Sequence, residues 1–242
     1  VVDSESPTLL ATGTFSGLSI QPLNIAPVVD TGTLPNVPPF NLNATVTDDG
    51  QPTPPGGTTL QWSQIASPGF ITFGNPAAED TLATLTMNGS HTIRLRADDG
   101  DSIVFDDLTF TGYLNPFARW LDQNNVGDEN NPLSESTADA DGDGLLNLIE
   151  YAIGSNGSVS STNPQVITMA PVSTSNFLRL SIPKNPAATD VTFTVEASSD
   201  LTSWSSVGLV IETNTSTQLT VRDNVPSSPG VRRFMRVKVT RP

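Results

Sequence analysis

The residues best equipped for chemistry lie together at positions 139–150, Asp-Ala-Asp-Gly-Asp-Gly-Leu-Leu-Asn-Leu-Ile-Glu. Asp139, Asp141 and Asp143 put carboxylates at the first, third and fifth places of a twelve-residue loop. Gly144 stands sixth, where the chain must turn sharply, and Leu145 at seven offers a backbone carbonyl. Asn147 at nine binds directly or through water, and Glu150 at twelve brings two oxygens at once. A hard cation such as Ca²⁺ takes about six to eight oxygen ligands, and this spacing supplies them. Four carboxylates so close in sequence repel one another unless a cation sits among them. An acidic solvated run would have no reason to place glycine sixth and the apolar Leu146 eighth. The spacing therefore predicts a calcium site.

Chemistry of other kinds has little to work with. The chain has no cysteine, which excludes disulfides, thiolate metal sites and cysteine nucleophiles. His91 is its only histidine and stands between alternating apolar residues, the pattern of a packed strand position. No histidine-based triad and no glycine-rich phosphate loop is present. The acid pairs Asp48-Asp49, Asp98-Asp99 and Asp106-Asp107 read as residues of turns and strand ends, where aspartate bonds its own backbone. Trp62 reads as a core tryptophan and Trp120 as the apolar face of a short helix; Trp204, after a turn-like stretch, is the nearest of the three to the surface, and packing is expected for each. The expectation is a chain that is not an enzyme.

The elements that must position the loop follow from composition and pattern. With 20 Pro and 18 Gly in 242 residues, the chain is rich in turns, as short-stranded sandwiches are. No apolar run approaches the ~20 residues of a membrane span. Residues 1–163 carry three basic residues against twenty acids, a net of −17, and residues 164–242 carry eight against five, a net of +3. The acidic bulk excludes nucleic acid as a partner and suits a salty extracellular setting rich in Ca²⁺. The absence of an initiator Met and of a signal peptide leads to the expectation of a processed piece of something longer.

The fold class expected is mainly β: two immunoglobulin- or fibronectin-like sandwiches joined by a short helical calcium-binding connector. Residues 1–21 read as linker strands or the end of a preceding domain, with a strand-like alternation over Leu10–Ile20. Residues 22–113 hold candidate strands at Phe40–Thr47, Thr58–Ile65, Phe70–Phe73, Thr81–Met87, His91–Ala97 and Ile103–Thr111, separated by glycine- and proline-bearing turns. Residues 114–163 are the connector, with a helix near Pro116–Leu121 and another over Leu145–Ile153 stopped by Gly154. Residues 164–242 hold strands at Val166–Val172, Phe177–Ile182, Val191–Ala197, Leu209–Glu212, Gln218–Arg222 and Arg233–Val239.

Four parts of the chain resemble known families. Asn24–Asp30, Ala44–Gly50, Leu60-Gln61-Trp62-Ser63-Gln64 and His91–Gly100 resemble, in that order, the PKD-like domains of bacterial secreted proteins, in their Trp-Ser-Gln form. The loop at 139–150 resembles the single calcium loops of dockerins and thrombospondin type 3 repeats; the upstream helix lies too far from it in sequence for a paired regulatory hand. Glu150-Tyr151-Ala152-Ile153-Gly154, Val195–Trp204 and Arg233-Phe234-Met235-Arg236-Val237 resemble the C-terminal end of large verrucomicrobial-type secreted proteins. Residues 1–20 resemble the final hairpin of a concanavalin-like sandwich.

These resemblances imply a non-catalytic, calcium-stabilised spacer of a secreted or surface-located bacterial protein. The alternative is a carbohydrate-binding ancillary module of a polysaccharide-degrading enzyme, taking anionic polysaccharide on Arg222, Arg232, Arg233, Arg236, Lys238 and Arg241. The other partner expected is an upstream domain of the same polypeptide, or a neighbouring chain, engaged through residues 1–20.

Overall fold

The computed structural model describes residues 22–127 and 131–242; the strands expected in residues 1–21 lie outside them. The described chain is mainly β and of sandwich type, with all its strand pairs antiparallel and two short α-helices.

The first unit comprises β1 (Val28–Asp30), β2 (Phe40–Asn43), β3 (Thr45–Thr47), β4 (Thr59–Ala66), β5 (Ile71–Phe73), β6 (Asp80–Leu85), β7 (Gly89–Asp98) and β8 (Ile103–Gly112). They form the sheets β2-β6-β5 and β4-β7-β8 and the pair β1-β3. Strand β7 shows why the sequence folds this way: His91, Ile93, Leu95 and Ala97 alternate inward and all are buried. Ile93 and Leu95 meet Phe40, Leu42, Trp62, Ile71 and Leu85 from the facing sheet and from β4. Trp62 stacks on Phe73 at 6.2 Å and donates its indole N–H to the Ala78 carbonyl at 3.0 Å, so its one polar atom is satisfied in the core.

Two expectations are corrected here. The single strand expected over Phe40–Thr47 breaks at Ala44, because β2 pairs with β6 whereas β3 pairs with β1 in another sheet. Asp106-Asp107 is not at a strand end but in the middle of β8. Asp106 accepts the Thr31 backbone N–H at 3.0 Å and its hydroxyl at 2.7 Å, while Asp107 pairs with Arg94. These side chains are structural ties between strands.

The connector begins with α1 (Pro116–Gln123), capped by Asn115, whose side chain accepts the Ala118 N–H at 2.8 Å, and opened by a proline at the first turn. A 3₁₀ turn over Pro132–Ser134 follows, then the acidic loop, then α2 (Asn147–Ile153). The helix expected from Leu145 starts two residues later, since Leu146 is extended. It stops at Gly154, whose φ of 81° suits a residue without Cβ.

The second unit has β9 (Val166–Val172), β10 (Ser175–Pro183), β11 (Thr192–Ser198), β12 (Val210–Asn214), β13 (Gln218–Pro226) and β14 (Phe234–Thr240). Its layers are unequal: a four-stranded sheet β12-β13-β10-β9 faces only the pair β11-β14. Ile211 pairs with Val221 and so shares its inward face, but Val221 is buried while Ile211 is 63% exposed, because the narrow layer does not reach over β12.

The connector is built into this unit. Leu145 and Ile153 lie in one core with Leu180, Ile182, Val195, Leu219, Val221 and Met235, with Ile149 packed against it. On its other side α2 presents Tyr151 to Phe117, Trp120, Leu121 and Val126 of a second cluster, with Leu148 packed beside it. A seven-residue helix is too short to stand alone, so its existence depends on these two apolar faces.

Candidate metal centre

The loop at 139–150 is organised by its own backbone. Asp139 accepts the amides of Gly142 (2.8 Å), Asp143 (3.2 Å) and Gly144 (2.8 Å). Asp141 accepts from Asp143 at 3.1 Å, and Asp143 accepts from Leu145 at 2.7 Å. Gly142 and Gly144 adopt φ of 76° and 92°, the left-handed conformations that let the loop turn twice. The result gathers one carboxylate oxygen from each of Asp139, Asp141 and Asp143 within 4.8 Å of one another.

Glu150 and Asn147 close the loop from helix α2, and both are wholly buried. Asn147 donates its side-chain amide to the carbonyls of Leu133 (2.6 Å) and Glu135 (2.9 Å), which ties the upstream turn to the helix. Its oxygen is buried without a partner. Glu150 accepts the Ser155 hydroxyl on one carboxylate oxygen at 3.2 Å, and its other oxygen is also buried and unpartnered. A third such atom is Asp141 Oδ2. Burial, followed by the negative charge of Asp141, pushes Glu150 up to about 7. Asp143 is held below the usual carboxylate range by the Ser161 and Leu145 amides.

Of the six residues expected at a metal, the structure brings Asp139, Asp141 and Asp143 into one tight cluster, with Glu150 close enough to feel the charge of all three. Asn147 is turned partly to a scaffolding task, and the side chain of Leu145 anchors the loop in the second core. These donors are all oxygen, buried on one side, and short of hydrogen-bond partners at three atoms, which fits a hard divalent cation. Ser161, which gives its N–H (2.7 Å) and hydroxyl (3.0 Å) to Asp143, and Ser155 on Glu150 were not legible in the sequence. Neither falls within the loop pattern.

The other residues of chemical interest are engaged within the fold. His91 is fully buried, with Nδ1 2.8 Å from Ser67 Oγ and its ring 5.4 Å from Phe110, and burial lowers its pKa. Asp48 and Asp98 each accept an amide two residues on, and Asp99 is a buried acceptor for Asp101, Ser102 and Asn24. Trp204 is half-buried beneath the Arg236 guanidinium at 4.2 Å.

Most of the basic groups considered for anionic glycans are already engaged. Arg222 pairs with Glu212 at 3.0 Å, Arg233 with the buried Asp223, Arg236 with Glu196 at 2.7 Å and Arg241 with Asp190 at 3.4 Å. A groove of about 410 Å³ lies instead between β11 and β12 and is lined by Phe193, Val195, Leu209 and Ile211. No helix among the described residues is long and apolar enough to cross a membrane. No family model, curated protein or solved structure matches this chain.

Proposed function

We propose that the chain is a non-catalytic, calcium-stabilised spacer of a secreted or surface-located protein, and that its cation holds the connector rigid. The observation that carries this reading is Glu150: a buried carboxylate with an unpartnered oxygen, facing three aspartates on a helix shared by two apolar clusters. A divalent cation would offset that charge, and Asp139, Asp141, Asp143, Glu150 and Asn147 Oδ1, with the Leu145 carbonyl, would hold it. The loop would then keep α2 in place, and through it both clusters.

The test is titration of chelated protein with Ca²⁺ in a calorimeter. One site is expected, and the folded state gains about 2.7 kcal/mol at a hundredfold excess of Ca²⁺ over Kd. Asp141→Ala should abolish the heat. Glu150→Gln should also abolish it while raising the melting temperature of chelated protein, because it removes a buried charge and keeps the shape. Absence of heat in the unaltered chain defeats the reading. The carbohydrate alternative has less support, since only Arg232 and Lys238 of its six cations lack an ion pair among the described residues. Turnover of a polysaccharide by the purified chain, lost on changing one carboxylate outside 139–150, would overturn the non-enzyme reading.

A further inference from the structure

The groove between β11 and β12 has the form of a missing strand. Both are edge strands, of the two-stranded and the four-stranded layer respectively. Ala197 of β11 exchanges both backbone bonds with Ser205, at 2.9 and 3.0 Å, on the side away from β14. Alternation along the strand turns the N–H and C=O of Phe193 and Val195 to that same side. Ser205 therefore closes one end of a ladder whose next two rungs, Phe193 and Val195, have no strand opposite them among the described residues. The floor below is apolar, made by Leu219 and Val221, and the wall opposite is the largely exposed Ile211. An added strand would need a short extended segment with two apolar side chains two residues apart.

We propose that this groove accepts residues 10–20 of a second copy of the chain as an added strand, with Leu18 and Ile20 on the apolar floor. Leu18-Ser19-Ile20 has the required spacing, and Gly17 and Ser19 are small on the opposite face. A second copy, not the same one, follows from reach. The described chain starts beside the Asp99–Ser102 turn, where Asn24 donates to Asp99 at 3.0 Å. That turn joins β7 to β8, whereas the connector leaves from the other end of β8, ten residues on. Those ten residues cover about 33 Å, so eleven extended residues starting from the turn would be spent in returning to the connector. The second unit lies beyond it.

Charge favours the same pairing. Residues 1–113 carry two arginines against twelve acids, while residues 164–242 have a net of +3, with Lys184 at the open end of the groove. Because donor and acceptor are different surfaces, two copies can exchange segments in a closed dimer or associate head to tail.

Sedimentation of the full chain over a concentration series, at fixed Ca²⁺, tests this. Association is expected, and Leu18→Asp and Ile211→Arg should each weaken it roughly tenfold or more, from the lost burial of one side chain. Ile211 is exposed, so its replacement leaves the core intact. A labelled peptide of residues 10–21 should bind the Leu18→Asp chain and fail to bind the Ile211→Arg chain. A monomer at all concentrations, association unchanged in both variants, or equal peptide binding to both would overturn the proposal. A monomer whose groove takes the peptide only after Leu18→Asp would place the segment in its own groove and also overturn it.

Discussion

At the scale of single residues, the buried polar groups divide by whether they are satisfied. Asp99 is buried with three protein donors around it and needs nothing more. Glu150 is buried with one hydroxyl donor, and the remaining oxygen carries the case for a cation. His91 is an intermediate case, bonded at Nδ1 and without a partner at Nε2. Burial lowers its pKa below the ordinary value of 6.5, so the unfolded chain binds the proton more readily than the folded one. Stability is then lost as pH falls from the unfolded value towards the folded one, and is fully present above about 6.5. Melting of the unaltered chain and of His91→Gln between pH 7.5 and 5 should differ in slope, with the unaltered chain falling more steeply on acidification. The difference separates His91 from the loop carboxylates, which both proteins share.

At the scale of elements, the pattern of the sequence carried most of what was needed. Strand β7 was legible because its inward residues alternate without a break, and the clustering of the aspartates at 139–143 because they fall within five residues. What escaped depends on distant partners. The break at Ala44 follows from two strands choosing different sheets, and Leu146 is extended beside Leu145, which reaches into a core made by residues 180–235. Asp106 faces Thr31, 75 residues away, which no local reading could find. The same logic makes the end of α2 sensitive. Gly154 is left-handed, and a Cβ there would meet only Asn185 at 3.5 Å, so strain and not space opposes a side chain. Gly154→Ala should cost about 1 kcal/mol in stability, read from denaturant unfolding.

At the scale of the whole molecule, the first unit has its own core, whereas the connector and the second unit share one through Leu145 and Ile153. Chelation should therefore act unevenly. Hydrogen exchange after removal of Ca²⁺ is expected to rise in residues 131–163 and along the edge of the second unit that meets α2. Residues 40–110 should keep their protection. Equal loss of protection in both units would mean that the cation is not confined to the connector in its effect. The acidic first unit and the mildly basic second unit also make any association of copies dependent on ionic strength.

Helix α2 packs into two clusters at once, and the consequence is thermodynamic reciprocity. Whatever the loop does for those clusters, they must do for the loop by the same free energy. Affinity for the cation then becomes a gauge of packing at sites that never touch it. Val195, on β11 in the core that holds Leu145 and Ile153, is such a site. Val195→Ala should raise the calcium Kd while leaving every ligand residue in place, and the loss of affinity should equal the loss of calcium-induced stabilisation measured by melting. Agreement between those two numbers would measure how firmly the loop and the sandwich behave as one body.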